Sequence, residues 1–276
     1  MAEGNRMEQD PYIGQVIVQV IRAIEDNLME AWLSLEDHPA VEIYAGDDLT
    51  QFVSGVPFPL CNAVFQACLD PEGIDDAVED ALGLFRERKL PGLWWVGPSS
   101  TPADLENVLE RHGLVRAGAS VGMAMDLGPM PPRPPLPEGF AIRRVAGEDM
   151  MRQWMEPFTT VFSLPPEAAD FFFECYRDLA SDPSSPLMHF TAFHDGKPAG
   201  TASVVLGTGS AGLYNVAVLP EHRTRGLGTA LTLYALEEAK TFGYGLGVLH
   251  AVEGKEHLYR RIGFQEYCRF VSYLWQ

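Results

Sequence analysis

The stretch VLPEHRTRGLGTAL holds the residues whose types and spacing best support a chemical role. Apolar, strand-like residues run to Pro220, and a loop through Arg223, Thr224, Arg225 and Gly226 then opens a helix at Leu227, Gly228 and Thr229. Glycines at alternate positions let backbone N–H groups converge with no Cβ in the way. A helix start adds about half a positive charge from its aligned peptide dipoles. Such a mouth suits an anion, and a diphosphate fits it well. Arg223 and Arg225 add charge-assisted contacts. The same residues exclude two neighbours: there is no GxxxxGK[ST] loop for a nucleoside triphosphate, and no GxGxxG between strand and helix for a dinucleotide. The glycine spacing alone also fits an ordinary glycine-containing helix start.

The elements that must position this loop are legible around it. From Gly226, the apolar residues Leu227, Ala230, Leu231, Tyr234 and Ala235 follow a helical period, with Gly243 as the stop. Upstream, MHFTAFHDGKPAGTASVVL sets two β-rich runs around Asp195-Gly196, a dipeptide suited to a tight hairpin, and GTGSAG leads into LYNVAVL. Three sequential antiparallel strands are expected. FAIRRV (140–145) predicts a strand, while GEDMMRQWMEPF and PPEAADFFFECYRDLA predict helices, the second with prolines in its first turn. After the Gly226 helix come a strand, LGVLHAV, a short helix, EHLYRRI, stopped by Gly263, and a β-rich end, FQEYCRFVSYLW. The fold class is α/β, with a mixed sheet.

Taken in this order, the residues resemble the GNAT acetyltransferase family, whose signature Arg/Gln-x-x-Gly-x-Gly/Ala follows a strand and opens a helix. Here it reads Arg223-Thr-Arg-Gly226-Leu-Gly228, and Leu258-Tyr259-Arg-Arg-Ile-Gly263-Phe264 is similar to the family's second motif. The likeness covers residues 140 to 276. It implies acetyl-CoA (coenzyme A) as the cofactor, with the amides of Thr224, Arg225, Gly226, Leu227, Gly228 and Thr229 cradling its pyrophosphate. It further implies that Val216 and Val218 bond the pantetheine arm, and that the acetyl group lies where their strand splays from LGVLHAV. A backbone N–H near Val216 would help to stabilise the oxyanion formed as an amine attacks the thioester.

Tyr259 matches the tyrosine that, in the family, protonates the departing thiolate. A phenol near pKa 10, against roughly 8.5 for a thiol, donates only beside a forming anion, so its position matters more than its acidity. Packing the helix against the sheet is the other reading of Tyr259. Two departures stand out. Val252 occupies a position where the family often has an asparagine, and LYNVAVL carries Asn215 among apolar residues but no carboxylate for a general base. Glu174, His189 and His250 are the remaining base candidates, each with an ordinary reading as an exposed helical glutamate or a satisfied core histidine. The aromatic runs Phe171–Phe173 and Trp94-Trp95 read as core. The acceptor implied is a primary amine of a small molecule or peptide. The competing function class is an acyl-CoA-binding sensor or scaffold.

The net charge of -18 is unevenly placed. Residues 1–130 carry 7 basic and 22 acidic side chains, and residues 131–276 carry 13 and 16. Such an acidic chain is poorly suited to nucleic acid, whose phosphates reward lysine and arginine. No stretch approaches the run of about 20 apolar residues that spans a bilayer, and the N-terminal MAEGNRMEQD is too polar for a secretion signal. A cytoplasmic chain is the expectation. Cys61, Cys68, Cys175 and Cys268 form no CxxC pair and read as reduced core thiols rather than metal ligands.

GPMPPRPPLPE, residues 128–138, has six prolines in eleven residues and reads as a stiff linker. It divides an N-terminal domain, 1–127, from a catalytic domain, 139–276. In the first half LWWVGP, PADLENVLERH, Gly113 and LVRAGASVGMAMDL repeat the strand, helix, glycine, strand order of the second, and placing Gly113 on Gly263 sets Leu109 opposite Tyr259. The first half lacks both the loop signature and the phenol. It reads as a degenerate GNAT-like partner domain walling the acceptor cleft, or as an unrelated domain; the helical period of residues 12–33 fits either.

Overall fold

The computed structural model describes residues 11–182 and 184–276, so the polar segment 1–10, on which the absence of a secretion signal was argued, lies outside it. A long helix, α1 (Pro11–Leu33), comes first. Three short strands follow, β1 (Glu42–Ala45), β2 (Thr50–Val53) and β3 (Asn62–Phe65), then α2 (Ile74–Arg88), β4 (Gly92–Val96), α3 (Leu105–Arg111) and β5 (Val115–Asp126). The proline-rich stretch 128–138 carries no helix or strand, as expected where prolines remove N–H donors and fix φ. Beyond it run β6 (Phe140–Arg144), α4 (Glu148–Phe162), α5 (Pro166–Ser181), β7 (Leu187–His194), β8 (Lys197–Leu206) and β9 (Ala211–Val218). The chain closes with α6 (Leu227–Thr241), β10 (Leu246–Val252), α7 (Glu256–Arg260) and β11 (Gln265–Trp275).

The expected meander is present. β6, β7, β8 and β9 pair antiparallel in sequence, and the β7–β8 turn places Asp195 at φ 48° and Gly196 at φ 79°, the left-handed pair that a two-residue hairpin needs.

The sheet is where the structure departs from a simple succession of two domains. All eleven strands form one sheet, in the order β1-β2-β3-β4-β11-β5-β10-β9-β8-β7-β6. β5 of the first half sits between β10 and β11, antiparallel to both, and β11 crosses over to pair with β4. Each half thus completes its sheet with the other's last strand. Strand alternation then sorts the cores by face. Val248 and Phe270 look toward α1, α4 and α5, together with Ile24, Trp154 and Phe171. Leu249 and Leu213 look toward α6, with Leu231 and Leu236, while Val64, Trp94 and Leu109 pack with α2 and α3.

α1 runs across the middle of the first face. Its buried Asn27 donates from Nδ2 to the Ser210 carbonyl (2.9 Å) and the Val205 carbonyl (3.3 Å), and accepts from the Tyr214 hydroxyl (2.9 Å). The approach is close enough that a Cβ at Gly212 would lie 1.7 Å from Asn27 Oδ1. A buried amide with its polar groups paired fixes where the helix sits, because shifting it would strand several donors and acceptors away from water.

Interleaving predicts mutual dependence. Expressed alone, residues 139–276 lose β5 and with it the ladders on β10 and β11, leaving unpaired edges in the middle of the sheet. We expect that fragment to lack a cooperative melt by circular dichroism and to regain one when co-expressed with residues 1–138. A soluble, cooperatively melting fragment on its own would contradict the strand exchange.

Candidate functional site

The site begins with a bulge. β9 and β10 run parallel, yet pair only at Gly247↔Ala211, Val248↔Gly212 and Leu249↔Leu213; beyond these, β9 continues to Val218 and β10 to Val252 without pairing, so a wedge opens between them. Asn215 turns the strand there with φ 53°, where the β8–β9 register shifts between Thr201 and Ser203. Side chains hold the turn. Thr201 Oγ1 donates to the Asn215 carbonyl (2.8 Å), Asn215 Nδ2 donates to Ser203 Oγ (3.2 Å), and Ser203 Oγ meets His189 Nδ1 at 2.8 Å.

The bulge sets which backbone groups face the wedge. Leu219 N–H donates across to the Ala199 carbonyl on β8 (3.0 Å), so strand alternation turns the N–H and C=O of Val218 and Val216 to the opposite edge. The Val218 carbonyl accepts from Arg223 Nε at 3.0 Å. That guanidinium therefore braces the loop against β9 through one of its donors.

The loop then climbs through a single 3-10 turn, Pro220–His222, to Thr224 at φ 62° and Gly226 at φ 78°. Gly226 is the N-cap of α6 in a left-handed conformation that costs an L-residue about 1 kcal/mol or more. It offers no side-chain cap, and the first helical bond is from Ala230 N–H to the Gly226 carbonyl (3.0 Å). The amides of Leu227, Gly228 and Thr229 are thus the orphan donors of the helix start. A Cβ at Gly226 would touch nothing within 4 Å, and one at Gly228 only Val218 Cγ2 at 3.8 Å. The mouth is open, donor-rich and flanked by the exposed Arg225, and a diphosphate fits that donor set.

Tyr259 lies on α7 just past the end of β10. It is half-buried and packs with the α6-side core, edge-on to Phe264 at 6.0 Å between ring centroids. Burial raises its phenol above the usual value. Val252, the departure noted in the sequence, is exposed at the end of β10.

The base candidates separate. Glu174 is exposed and faces His38 (3.3 Å) rather than the wedge. His189 is buried among Trp154 and Tyr176, and desolvation drops its imidazole to about 3, so it stays neutral beneath the bulge. His250 lies on β10 where the wedge opens, half-buried, and burial lowers it to about 4. The expectation of core thiols fails at Cys68, which is exposed because it follows the short β3 into a surface loop; Cys61 and Cys175 are buried. Trp94, Phe171 and Phe172 are buried in the cores, as expected.

Residues 148–264 match the acetyltransferase (GNAT) family. That match lies within the C-terminal half of the chain. Over 161 residues the chain is 29% identical to a mycothiol acetyltransferase of Frankia casuarinae, covering 52% of this chain and 47% of that protein. Over 194 residues it is 28% identical to a mycothiol acetyltransferase of Tsukamurella paurometabola, covering 65% of this chain and 66% of that one. The chain thus spans about half the length of the first relative and just under two thirds of the second. Among solved structures, a tandem GNAT protein from the clavulanic acid biosynthesis pathway superposes with a TM-score of 0.61 at 19% identity, over 95% of each chain. That likeness is one of fold.

The first half repeats elements of the second in outline. β3 pairs parallel with β4 at Ala63↔Leu93 and Val64↔Trp94, and two residues on Gln66 turns left-handed at φ 52°, as Asn215 does two residues after Leu213. Gly73 caps α2 at φ 94°, as Gly226 caps α6, and both helices have 15 residues. The chemistry is inverted, however. Counting from these glycines, Asp70 and Glu72 stand where Arg223 and Arg225 do, and Asp75 and Asp76 stand where Gly228 and Thr229 do. The arm from Gln66 to Gly73 is also four residues shorter than that from Asn215 to Gly226. Carboxylates at a helix start repel phosphate, so this mouth is unsuited to the anion that its counterpart fits.

Proposed function

We propose that the chain is an N-acetyltransferase that moves an acetyl group from acetyl-CoA to a primary amine of a small molecule or peptide by direct attack. The observation that carries this reading is the donor-lined, open mouth at Gly226, aligned with a wedge whose free edge displays the backbone of Val216 and Val218. The amides from Thr224 to Thr229 hold the pyrophosphate of the donor, with Arg225 adding charge. Val216 and Val218 bond the pantetheine arm, which places the thioester in the wedge. The Val216 N–H lies on the edge where the carbonyl oxygen gains negative charge. Tyr259 gives its proton to the sulfur as the C–S bond breaks, which a desolvated phenol does only when a thiolate forms beside it. The mycothiol acetyltransferases among the relatives support a small-molecule acceptor.

The test is calorimetry with coenzyme A, followed by thiol release from acetyl-CoA over a panel of primary amines. We expect binding at one coenzyme A per chain, because the first half presents acids where the second presents arginines. Two sites per chain would overturn that reading of the N-terminal half. Binding without thiol release from any amine would favour an acyl-CoA-binding sensor, a reading supported by the lack of a carboxylate on β9.

A further inference from the structure

The proposed reaction needs a group that accepts the amine's proton, and β9 supplies no carboxylate to do so. His250 is the titratable side chain on β10 at the opening of the wedge, directly after the last β9–β10 pair, Leu249↔Leu213. It alternates with Leu249 and so shares the face of Val248, under α1 and away from α6. Tyr259 packs on the α6 side. The two side chains therefore flank the wedge from opposite faces of the sheet.

The environment of His250 fixes its proton. Nε2 lies 3.4 Å from the Ile24 carbonyl of α1, an oxygen that only accepts, so Nε2 carries the hydrogen. Nδ1 is then an unprotonated acceptor, and it is buried without a hydrogen-bond partner among the described residues. Tyr214 lies nearly parallel to the ring at 6.4 Å between centroids, and Phe270 meets it edge-on at 4.5 Å, so neither supplies a donor to its plane. An acceptor shielded from water and lacking a donor is costly, and a ligand N–H bonded to it would relieve that cost. Burial lowers the imidazole to about 4, so the ring is neutral at pH 7 with Nδ1 free to accept, and the same desolvation makes it a weak base until a cationic nitrogen forms beside it.

We propose that His250 is a catalytic residue that binds the acceptor amine through Nδ1 and removes its proton. The inference rests on the acetyltransferase reading above. The nitrogen lone pair forms the C–N bond to the thioester carbonyl carbon, and the C–S bond breaks with its electron pair going to sulfur. Sulfur takes the phenolic proton of Tyr259, the amine's proton passes to His250 Nδ1, and exchange with water restores both groups.

The experiment compares wild type, His250→Ala and His250→Gln for coenzyme A affinity by calorimetry and for turnover with the best amine of the panel. The Ala variant is assayed again with added imidazole. The expected result is unchanged coenzyme A affinity in all three, a fall in kcat of at least about 100-fold in both variants, as general-base removal typically gives, and partial recovery of His250→Ala by imidazole. Unaltered turnover in His250→Ala would overturn the assignment while leaving the acetyltransferase reading intact. A loss that imidazole does not relieve, accompanied by weakened coenzyme A binding, would make His250 a packing residue. Absence of coenzyme A binding by wild type, or of turnover with any amine, would remove the acetyltransferase reading and this inference with it.

Discussion

Gly226→Val abolishes coenzyme A binding while the chain stays folded: that is the largest effect on affinity we expect from a single substitution. At φ 78° the native residue occupies a region that a β-branched side chain rarely enters, so valine pushes the loop toward another conformation. Nothing of the protein lies within 4 Å of the new Cβ, so the steric cost inside the fold is small and the damage falls on the mouth itself. The orphan amides of Leu227, Gly228 and Thr229 would no longer converge. Calorimetry should show affinity down by at least about 100-fold, equivalent to roughly 2.7 kcal/mol, with a melting temperature lowered by only a few degrees. Gly226→Asn is the matched control, since asparagine tolerates left-handed backbone, and it should retain more affinity than valine does. Equal retention by valine would count heavily against pyrophosphate binding at this helix start.

The second large effect is on rate rather than affinity. Tyr259→Phe removes one oxygen and keeps the ring against Phe264, so packing survives while the proton donor does not. We expect kcat to fall by more than about tenfold with little change in coenzyme A affinity, in the range usual for losing a general acid. A variant with unchanged kcat would leave Tyr259 a packing residue. A variant with altered affinity and unchanged kcat would shift it to donor binding.

These two tests separate parts of the site that the residues disclose to different degrees. The proposed binding loop at the helix start is local: Arg223 to Thr229 are consecutive, and their backbone conformation follows from glycine spacing and a helix boundary. The meander, the Asp195-Gly196 hairpin and the glycine stops at 243 and 263 are local in the same sense, and each is found where the periodicity puts it. The three short strands of the first half, four residues each, left too little periodicity to read.

What the amino-acid order by itself determined, then, is the set of elements in the second half, the glycine-containing loop that opens α6 and the position of Tyr259 after β10, because each depends on residues within a turn or two of one another. Only the tertiary structure decided how the halves combine. That β5 inserts between β10 and β11 depends on pairing between residues more than a hundred positions apart, which no local pattern encodes. The same long-range packing lays α1 across β9 and β10, sets the Ile24 carbonyl beside His250 and turns Glu174 toward His38. It also shows that Gly73 and Gly226 cap equivalent helices, so that carboxylates in one half stand where arginines stand in the other. A side chain's neighbours across a sheet are set by register and burial, and those are properties of the assembled core.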